Sequence, residues 1–183
     1  MTFRARVIEL PDGSRIVLRS AEPEDTEAML RFRREEVAPS PFVLTVPDEV
    51  PNDPAEQAAS LQKHRDQTNS IMLLAFAGDE LIGVSNLVGA ERAKIRHNAY
   101  FGTTVATAWR NRGVGRAMLD ALIAWAHASP EVLRLTLDVL AENTRARRMY
   151  ELAGFRECGF ERRAIRQPDG TFLDNVRMEM WVG

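Results

Sequence analysis

Residues 110–116 are the stretch that decides the fold, and they read Arg110-Asn111-Arg112-Gly113-Val114-Gly115-Arg116. An extended segment over residues 98–105 precedes them, and an apolar-periodic helix follows over residues 114–128. Backbone N–H groups at a helix start have no partner within the helix, and the helix dipole favours negative charge there. Two glycines let the backbone approach a ligand closely, and three arginines add positive charge. The stretch therefore predicts a pyrophosphate site, with a loop carrying a solvated basic face as the alternative.

Length and composition favour one globular domain over residues 1–183, large enough to bury a substantial core. The formal net charge is −2, whereas nucleic-acid-binding proteins usually carry a basic excess. Arginines concentrate at 110–116 and 145–148, which fits a small anionic ligand better than nucleic acid. The single cysteine, Cys158, and the absence of zinc-ligand spacing argue against a disulfide and a metal site. The first twenty residues carry charges throughout with no apolar h-region, and the longest apolar run, residues 71–77, is too short to span a bilayer. We therefore expect a cytoplasmic protein with no membrane partner.

The order of predicted elements favours an α/β (mixed α+β) fold. We expect a mixed, mostly antiparallel sheet with helices on both faces and one parallel β-α-β crossover from strand 98–105 to strand 132–140. Residues 39–54 hold five of the nine prolines and predict an irregular loop that shapes a site. The periodicities predict strands over 7–10, 15–19, 71–77, 80–88, 94–105, 132–140, 159–166 and 172–182, and helices over 24–36, 55–68, 114–128 and 143–152.

Two familiar phosphate-binding motifs do not fit residues 110–116. A P-loop ends in Gly-Lys-Ser/Thr, whereas Gly115 is followed by Arg116 and Ala117. A dinucleotide-binding fingerprint needs a third glycine at position 118, where this chain has Met118. The pattern that fits is Arg/Gln-x-x-Gly-x-Gly/Ala directly after a strand.

With that pattern over residues 105–115, the chain resembles the GNAT superfamily of acetyl-CoA-dependent N-acetyltransferases. A second stretch, residues 143–155, reads Asn-Thr-Arg-Ala-Arg-Arg-Met-Tyr-Glu-Leu-Ala-Gly-Phe and resembles the asparagine, helix, tyrosine, glycine and phenylalanine order of that family. Residues 18–25 also look like the family's first strand and helix. The resemblance covers residues 15–182 and is closest to bacterial members that act on small amines or protein amino termini.

The resemblance implies acetyl-CoA as cosubstrate and a strand 98–105 whose end diverges from strand 132–140. Exposed backbone groups near Val105 and Thr107 would then pair with the pantetheine arm, and one N–H would polarise the thioester oxygen. Asn143 is suited to cap the helix over 143–152 and by resemblance also contacts the cofactor arm. The predicted cofactor-binding residues are Val105, Thr107, Arg110, Asn111, Arg112, Gly113, Val114, Gly115, Arg116 and Asn143.

Tyr150 is the candidate acid for the leaving thiolate. It shares a helical face with Ala146, Met149 and Ala153, so its side chain is expected to point inward. A phenol with a pKa near 10 is protonated at neutral pH and can donate to a developing thiolate. The alternative is a core tyrosine whose hydroxyl bonds a backbone group.

These inferences lead to an N-acetyltransferase that moves an acetyl group from acetyl-CoA to a primary amine by direct attack in a ternary complex. The alternative is a non-catalytic acyl-CoA-binding regulatory or interaction domain, against which Tyr150 argues. The acceptor is a small amine or a protein amino terminus, held by loop 39–54, strand 80–88 and hairpin 159–182. The final strands could also mediate a homodimer. The general base stays open, and its candidates are Glu91, His97 (which we interpret as structural), Asp138 and Asp174.

Overall fold

The computed structural model describes residues 2–37, 39–45, 47–49 and 53–183, and these residues form eight strands and four α-helices. The strands are β1 (Arg6–Glu9), β2 (Arg15–Ser20), β3 (Ile71–Ala77), β4 (Glu80–Gly89), β5 (Asn98–Val105), β6 (Arg134–Leu140), β7 (Arg156–Arg166) and β8 (Phe172–Trp181). The helices are α1 (Thr26–Phe32), α2 (Pro54–Asp66), α3 (Val114–Ala128) and α4 (Thr144–Ala153). Among the described residues, no helix is long and apolar enough to cross a membrane.

The strands lie in one sheet in the order β1-β2-β3-β4-β5-β6-β8-β7. Neighbours are antiparallel except β5 and β6, which are parallel and joined through α3. Successive side chains of a strand point to opposite faces of the sheet. Leu73 of β3 packs in the core with α3, whereas its neighbour Met72 packs with Met29 of α1. The predicted mixed sheet with helices on both faces and one parallel crossover is therefore confirmed.

The parallel pair is short, and this positions the site. β5 and β6 pair only where Asn98–Tyr100 lies beside Arg134–Thr136. Further along, β5 stays paired with β4 up to Val105, and β6 stays paired with β8 up to Leu140. The two strands therefore diverge after Tyr100 and leave a wedge in the sheet, as the family resemblance implied.

The predicted helix over residues 24–36 is divided into three segments. A 3-10 turn over Pro23–Asp25 leads into α1, and a π-helical turn over Arg33–Val37 follows it. Glu36 of that turn accepts hydrogen bonds from the backbone N–H and the hydroxyl of Thr107, at 2.7 and 2.9 Å. π-Helical turns are frequent at functional sites. The hydrogen bonds between Glu36 and Thr107 join residues far apart in the chain, so no local sequence pattern could predict this turn.

The predicted strand over residues 94–105 is wrong at its start, because Ala93–Ile95 forms a 3-10 turn and β5 begins at Asn98. β6 begins two residues later than predicted and β7 three residues earlier. Within the predicted loop 39–54, the described residues include a 3-10 turn over Pro47–Glu49. Residues 46 and 50–52 of that loop lie outside the described part of the chain.

Candidate active site

A cleft of about 1160 Å³ opens where β5 and β6 diverge. It runs from the turn over residues 110–116 and the start of α4 to α1, the π-helical turn, residues 40–45 and the β7–β8 hairpin. Thr107, Arg112 and Val114 are not among its lining residues. The predicted site residues that line it are Val105, Arg110, Asn111, Gly113, Gly115, Arg116, Asn143 and Tyr150.

The turn before α3 leaves its N–H groups without protein partners. Gly113 occupies the N-cap position with φ +97° and ψ −6°, and no side chain among the described residues caps the helix there. The first hydrogen bond of α3 runs from the Ala117 N–H to the Gly113 carbonyl, at 3.0 Å. The N–H groups of residues 114–116 therefore have no partner within the helix, and the helix dipole makes this end attractive for an anion.

The two glycines of the turn have different physical roles. Gly113 has a left-handed backbone, and a Cβ there would lie 2.9 Å from Pro11 Cδ, so both conformation and packing require glycine. A Cβ at Gly115 would make ordinary contacts with Val105 Cγ2 at 3.6 Å and Met149 Sδ at 3.8 Å. Both of those neighbours line the cleft, so the missing side chain of Gly115 leaves the cleft open beside the helix start.

Two predicted cofactor-binding residues are engaged by protein carboxylates outside the cleft. The backbone N–H of Thr107 donates to Glu36 instead of facing the wedge. Arg112 donates to Asp12 at 2.6 Å, and its guanidinium stacks 4.0 Å from the ring centroid of Trp109. Arg112 therefore holds the turn against the β1–β2 loop, and a role for either residue in cofactor binding stays a prediction.

The other arginines of the turn do line the cleft. Arg110 donates from Nε to the carbonyl of Val105 at 3.1 Å, which ties the turn to the end of β5. Arg116 pairs with Asp120 one helical turn further along α3, at 2.8 Å. Arg145, near the start of α4, also lines the cleft. The cleft therefore has three arginines beside the free N–H groups of α3.

Asn143 caps α4, as predicted. Its side-chain oxygen accepts from the backbone N–H of Ala146 at 3.2 Å. The cap fixes the start of the helix that carries Tyr150. Asn143 also lines the cleft, so its capping role is confirmed and its contact with a cofactor stays a prediction.

Tyr150 lies at the point where the wedge begins. Its ring packs edge-on against Phe101, the first residue of β5 beyond the parallel pair, with 5.8 Å between centroids, and lies 5.9 Å from Phe155. The residue is only 7% exposed, yet its hydroxyl has no hydrogen bond to another described residue. Burial, and secondarily the nearby Tyr100 phenol, raises the pKa of Tyr150 well above its usual value. The phenol is therefore held protonated in the cleft.

Thr103 is a candidate residue that our sequence analysis missed. It lines the cleft on the same face of β5 as Phe101 and Val105, because alternate strand residues share a face. Its hydroxyl is buried and has no hydrogen-bond partner among the described residues. A buried hydroxyl without a hydrogen-bond partner lowers the stability of the fold unless a bound ligand forms a hydrogen bond with it. This orphan group suits an amide-rich arm such as pantetheine passing between Tyr150 and the helix start, but a threonine in a strand gives no sequence signal for that role.

A hydrogen-bonded network spans the other side of the wedge. Asp138 of β6 accepts from Asn175 Nδ2 at 3.0 Å and from Arg177 Nε and Nη2 at 3.0 and 3.2 Å. The pKa of the nearby Tyr100 phenol is raised first by burial and then by the negative charge of Asp138. Asn175 and Arg177 therefore supply the hydrogen-bond donors that the half-buried carboxylate of Asp138 requires.

Of the four candidates for the general base, Asp138 lines the cleft and the other three do not. Glu91 forms an exposed ion pair with a lysine of α2 at 3.0 Å. His97 stacks on the indole ring of Trp181, in agreement with a structural role. Asp174 accepts from a backbone N–H of β7 at 2.7 Å. Both oxygens of Asp138 already accept hydrogen bonds, which leaves it better suited to organising the wedge than to taking up a proton.

The diverging strands, the uncapped glycine turn and the buried tyrosine form the arrangement that the resemblance to acetyl-CoA-dependent acyltransferases implied. The sequence profile of the acetyltransferase (GNAT) domain matches residues 15–156, so this chain belongs to the GNAT family of acetyl-CoA-dependent acyltransferases.

Similar proteins agree with this assignment. The L-amino acid N-acetyltransferase AaaT of Escherichia coli K12 is 28% identical over 166 residues, which cover 90% of this chain and 97% of that protein. A GNAT-family acetyltransferase from Streptococcus pneumoniae is 28% identical with a TM-score of 0.87, and the match covers 91% of this chain and 99% of that one. YncA of Salmonella typhimurium, solved with its cofactor acetyl-CoA, is 16% identical with a TM-score of 0.80, over 92% and 94% of the two chains.

Proposed function

We propose that this protein transfers an acetyl group from acetyl-CoA to a primary amine by direct attack in a ternary complex. The observation that carries the proposal is Tyr150, a buried residue whose hydroxyl is protonated and has no hydrogen bond to another described residue, in the same cleft as the uncapped start of α3. A hydroxyl of this kind supplies the group that an acetyl-CoA-dependent transferase needs when the thiolate leaves.

The cofactor is held by the unpartnered N–H groups of the turn and by the arginines that line the cleft beside them. The N–H groups of residues 114–116 bind the pyrophosphate, and Arg110, Arg116 and Arg145 neutralise its charge. The pantetheine arm follows β5 toward the wedge, where the orphan hydroxyl of Thr103 bonds one of its amides. This path brings the thioester to Tyr150.

The transfer step forms one bond and breaks another. The neutral amine nitrogen attacks the thioester carbonyl carbon, a carbon–nitrogen bond forms and the carbon–sulfur bond breaks. The nitrogen loses one proton and the departing thiolate gains one, so the products are the N-acetyl amide and the thiol of coenzyme A. Tyr150 donates a hydrogen bond to the sulfur as negative charge develops on it, which stabilises the leaving thiolate. Its raised pKa favours this donation over full ionisation of the phenol.

Direct attack is supported by the composition of the cleft. Its described lining residues include no cysteine and no histidine, and Cys158 lies exposed on β7 away from the cleft. A covalent acyl-enzyme requires a nucleophile with an adjacent activating base. Among those residues the cleft offers no cysteine or histidine for such a pair, which supports binding of the amine and acetyl-CoA together in one complex.

Initial-rate kinetics test this order of events. Rates measured by thiol release at several fixed concentrations of acetyl-CoA and of an accepted amine should give intersecting double-reciprocal lines. Incubation with acetyl-CoA alone should leave the protein mass unchanged. Parallel lines together with an added acetyl group on the protein would contradict direct attack, because they indicate a covalent intermediate.

A further inference from the structure

Arg33 is a half-buried cation whose guanidinium has no partner among the described residues. It is the first residue of the π-helical turn and lines the part of the cleft that lies outside both cofactor motifs. Its Nε is buried without a hydrogen-bond partner, and its guanidinium forms no ion pair with any described residue. Burial lowers the pKa of Arg33, but an arginine stays charged in proteins. A charge held in this way is expensive unless a ligand pairs with it.

Two carboxylates around this end of the cleft are already engaged by other groups. Glu36, on the same turn, accepts from Thr107. Asp138 is held by Arg177, on which Glu161 of the cleft wall also acts electrostatically. Arg33 therefore has no carboxylate of its own, and its planar fork of donors suits a carboxylate from outside the protein.

We propose that Arg33 binds the carboxylate of the acceptor and that the acceptor is a free amino acid with an apolar side chain. This inference rests on the proposed acetyl transfer and names its substrate class. A protein amino terminus carries an amide where a free amino acid carries its carboxylate, so an unpaired arginine favours the free amino acid.

The surroundings of Arg33 fit this acceptor. The neighbouring Phe32 is 3% exposed and packs in the core, and Glu36 fastens the other end of the π-helical turn to Thr107. The guanidinium is therefore carried on a fixed backbone, which lowers the cost of ordering it around a ligand. Phe42 and Leu44 line the same cleft, are 51% and 66% exposed, and offer apolar surface to the acceptor side chain.

Matched pairs of acceptors provide the test. Each L-amino acid with an aliphatic, aromatic or thioether side chain is compared with its own carboxamide, and kcat/KM is measured by thiol release and by mass of the product. The wild type should prefer the acid in its best pair by about 10- to 100-fold, the range for a charge-assisted contact. Arg33→Gln should reduce this preference to less than about 3-fold, chiefly through KM of the acid.

Arg34→Gln is the matched control, because Arg34 is the next residue of the same turn and is exposed. It should keep the wild-type preference, and KM for acetyl-CoA should be unchanged in both variants. Arg33→Lys keeps the charge without the fork and should restore only part of the preference. Thermal unfolding of each variant confirms that it is folded.

Three results from these paired assays would overturn the inference. They are a wild type that accepts the amides as well as the acids, an Arg33→Gln variant that keeps the preference, and an Arg33→Gln variant that loses affinity for acetyl-CoA instead. Acetylation of other primary amines in the absence of any amino-acid product would also reject Arg33 as the anchor while leaving acetyl transfer intact. No thiol release with any amine would instead reject the proposed function itself.

Discussion

The buried position of Tyr150 suits its hydroxyl to stabilise the leaving thiolate. At the residue scale, its protonation follows from burial against Phe101 and Phe155, and no hydrogen bond to a described residue competes for its hydroxyl. A phenol with a raised pKa is a weak acid. We therefore expect it to act by hydrogen-bonding to the departing sulfur, in the manner of an oxyanion-hole donor, rather than by complete proton transfer.

Replacing Tyr150 with phenylalanine should lower kcat by about 100-fold, the lower end of the range for a positioned acid. The ring contacts with Phe101 and Phe155 are kept, so the affinity for acetyl-CoA and the thermal midpoint should change little. Thiol release gives kcat, and calorimetric titration gives the affinity. An unchanged kcat would remove Tyr150 from the mechanism.

The same residue predicts a pH dependence. Because the pKa of Tyr150 is raised, its phenol remains protonated as the pH rises through its ordinary value near 10. Ionisation of Tyr150 should therefore cause no fall in the kcat of the wild type between about pH 6 and pH 9. An alkaline decline below pH 9 that disappears in Tyr150→Phe would contradict the protonated assignment.

Glycine at position 113 is required at the scale of the turn and its helix. Gly113→Ala should lower the free energy of unfolding by about 1–3 kcal/mol through its left-handed backbone, with further crowding against Pro11. It should also weaken acetyl-CoA binding, because the N–H groups of α3 would be displaced. Denaturant unfolding and calorimetric titration measure the two effects.

Gly170 provides the control for Gly113. It has φ +87° in the turn between β7 and β8, and a Cβ there would meet nothing within 4 Å. Gly170→Ala should therefore lose stability through backbone strain alone and keep its affinity for acetyl-CoA. If Gly113→Ala binds acetyl-CoA as tightly as the wild type, the turn is not the pyrophosphate site.

Local signals in the sequence predicted some elements better than others. The helix over residues 114–128 was predicted with its observed bounds, because a glycine turn starts it and a continuous apolar stripe runs along it. The π-helical turn could not be predicted, because Glu36 and Thr107 are 71 residues apart in the chain. For the same reason Arg33 and Arg34 look alike in the sequence, and only packing makes Arg33 half-buried and Arg34 exposed.

At the scale of the whole molecule, the order of strands determines where the chemistry can occur. Pairing of β5 with β6 stops after three residues, and the wedge beyond brings together residues from α1, β5, α4 and β8. The mixed topology was predictable from the order of elements. The residues that bind the acceptor could not be predicted from the sequence, because they depend on which side chains the fold brings together at that end of the cleft.

Two features of the whole chain stay predictions. One is a single domain over residues 1–183. The other is a homodimer through the final strands, for which β7 offers an edge of the sheet whose residues are exposed along almost all of its length.

The most direct test of the proposed acetyl transfer compares the amounts of the two products that the wild-type protein forms. Acetyl-CoA is mixed with a panel of amino acids and other primary amines, and free thiol and acetylated amine are both quantified. We predict that an accepted amine yields equal amounts of coenzyme A and acetylated product, well above the rate without protein. Tight binding of acetyl-CoA with no thiol release across the panel would contradict the account and identify a non-catalytic acyl-CoA-binding domain.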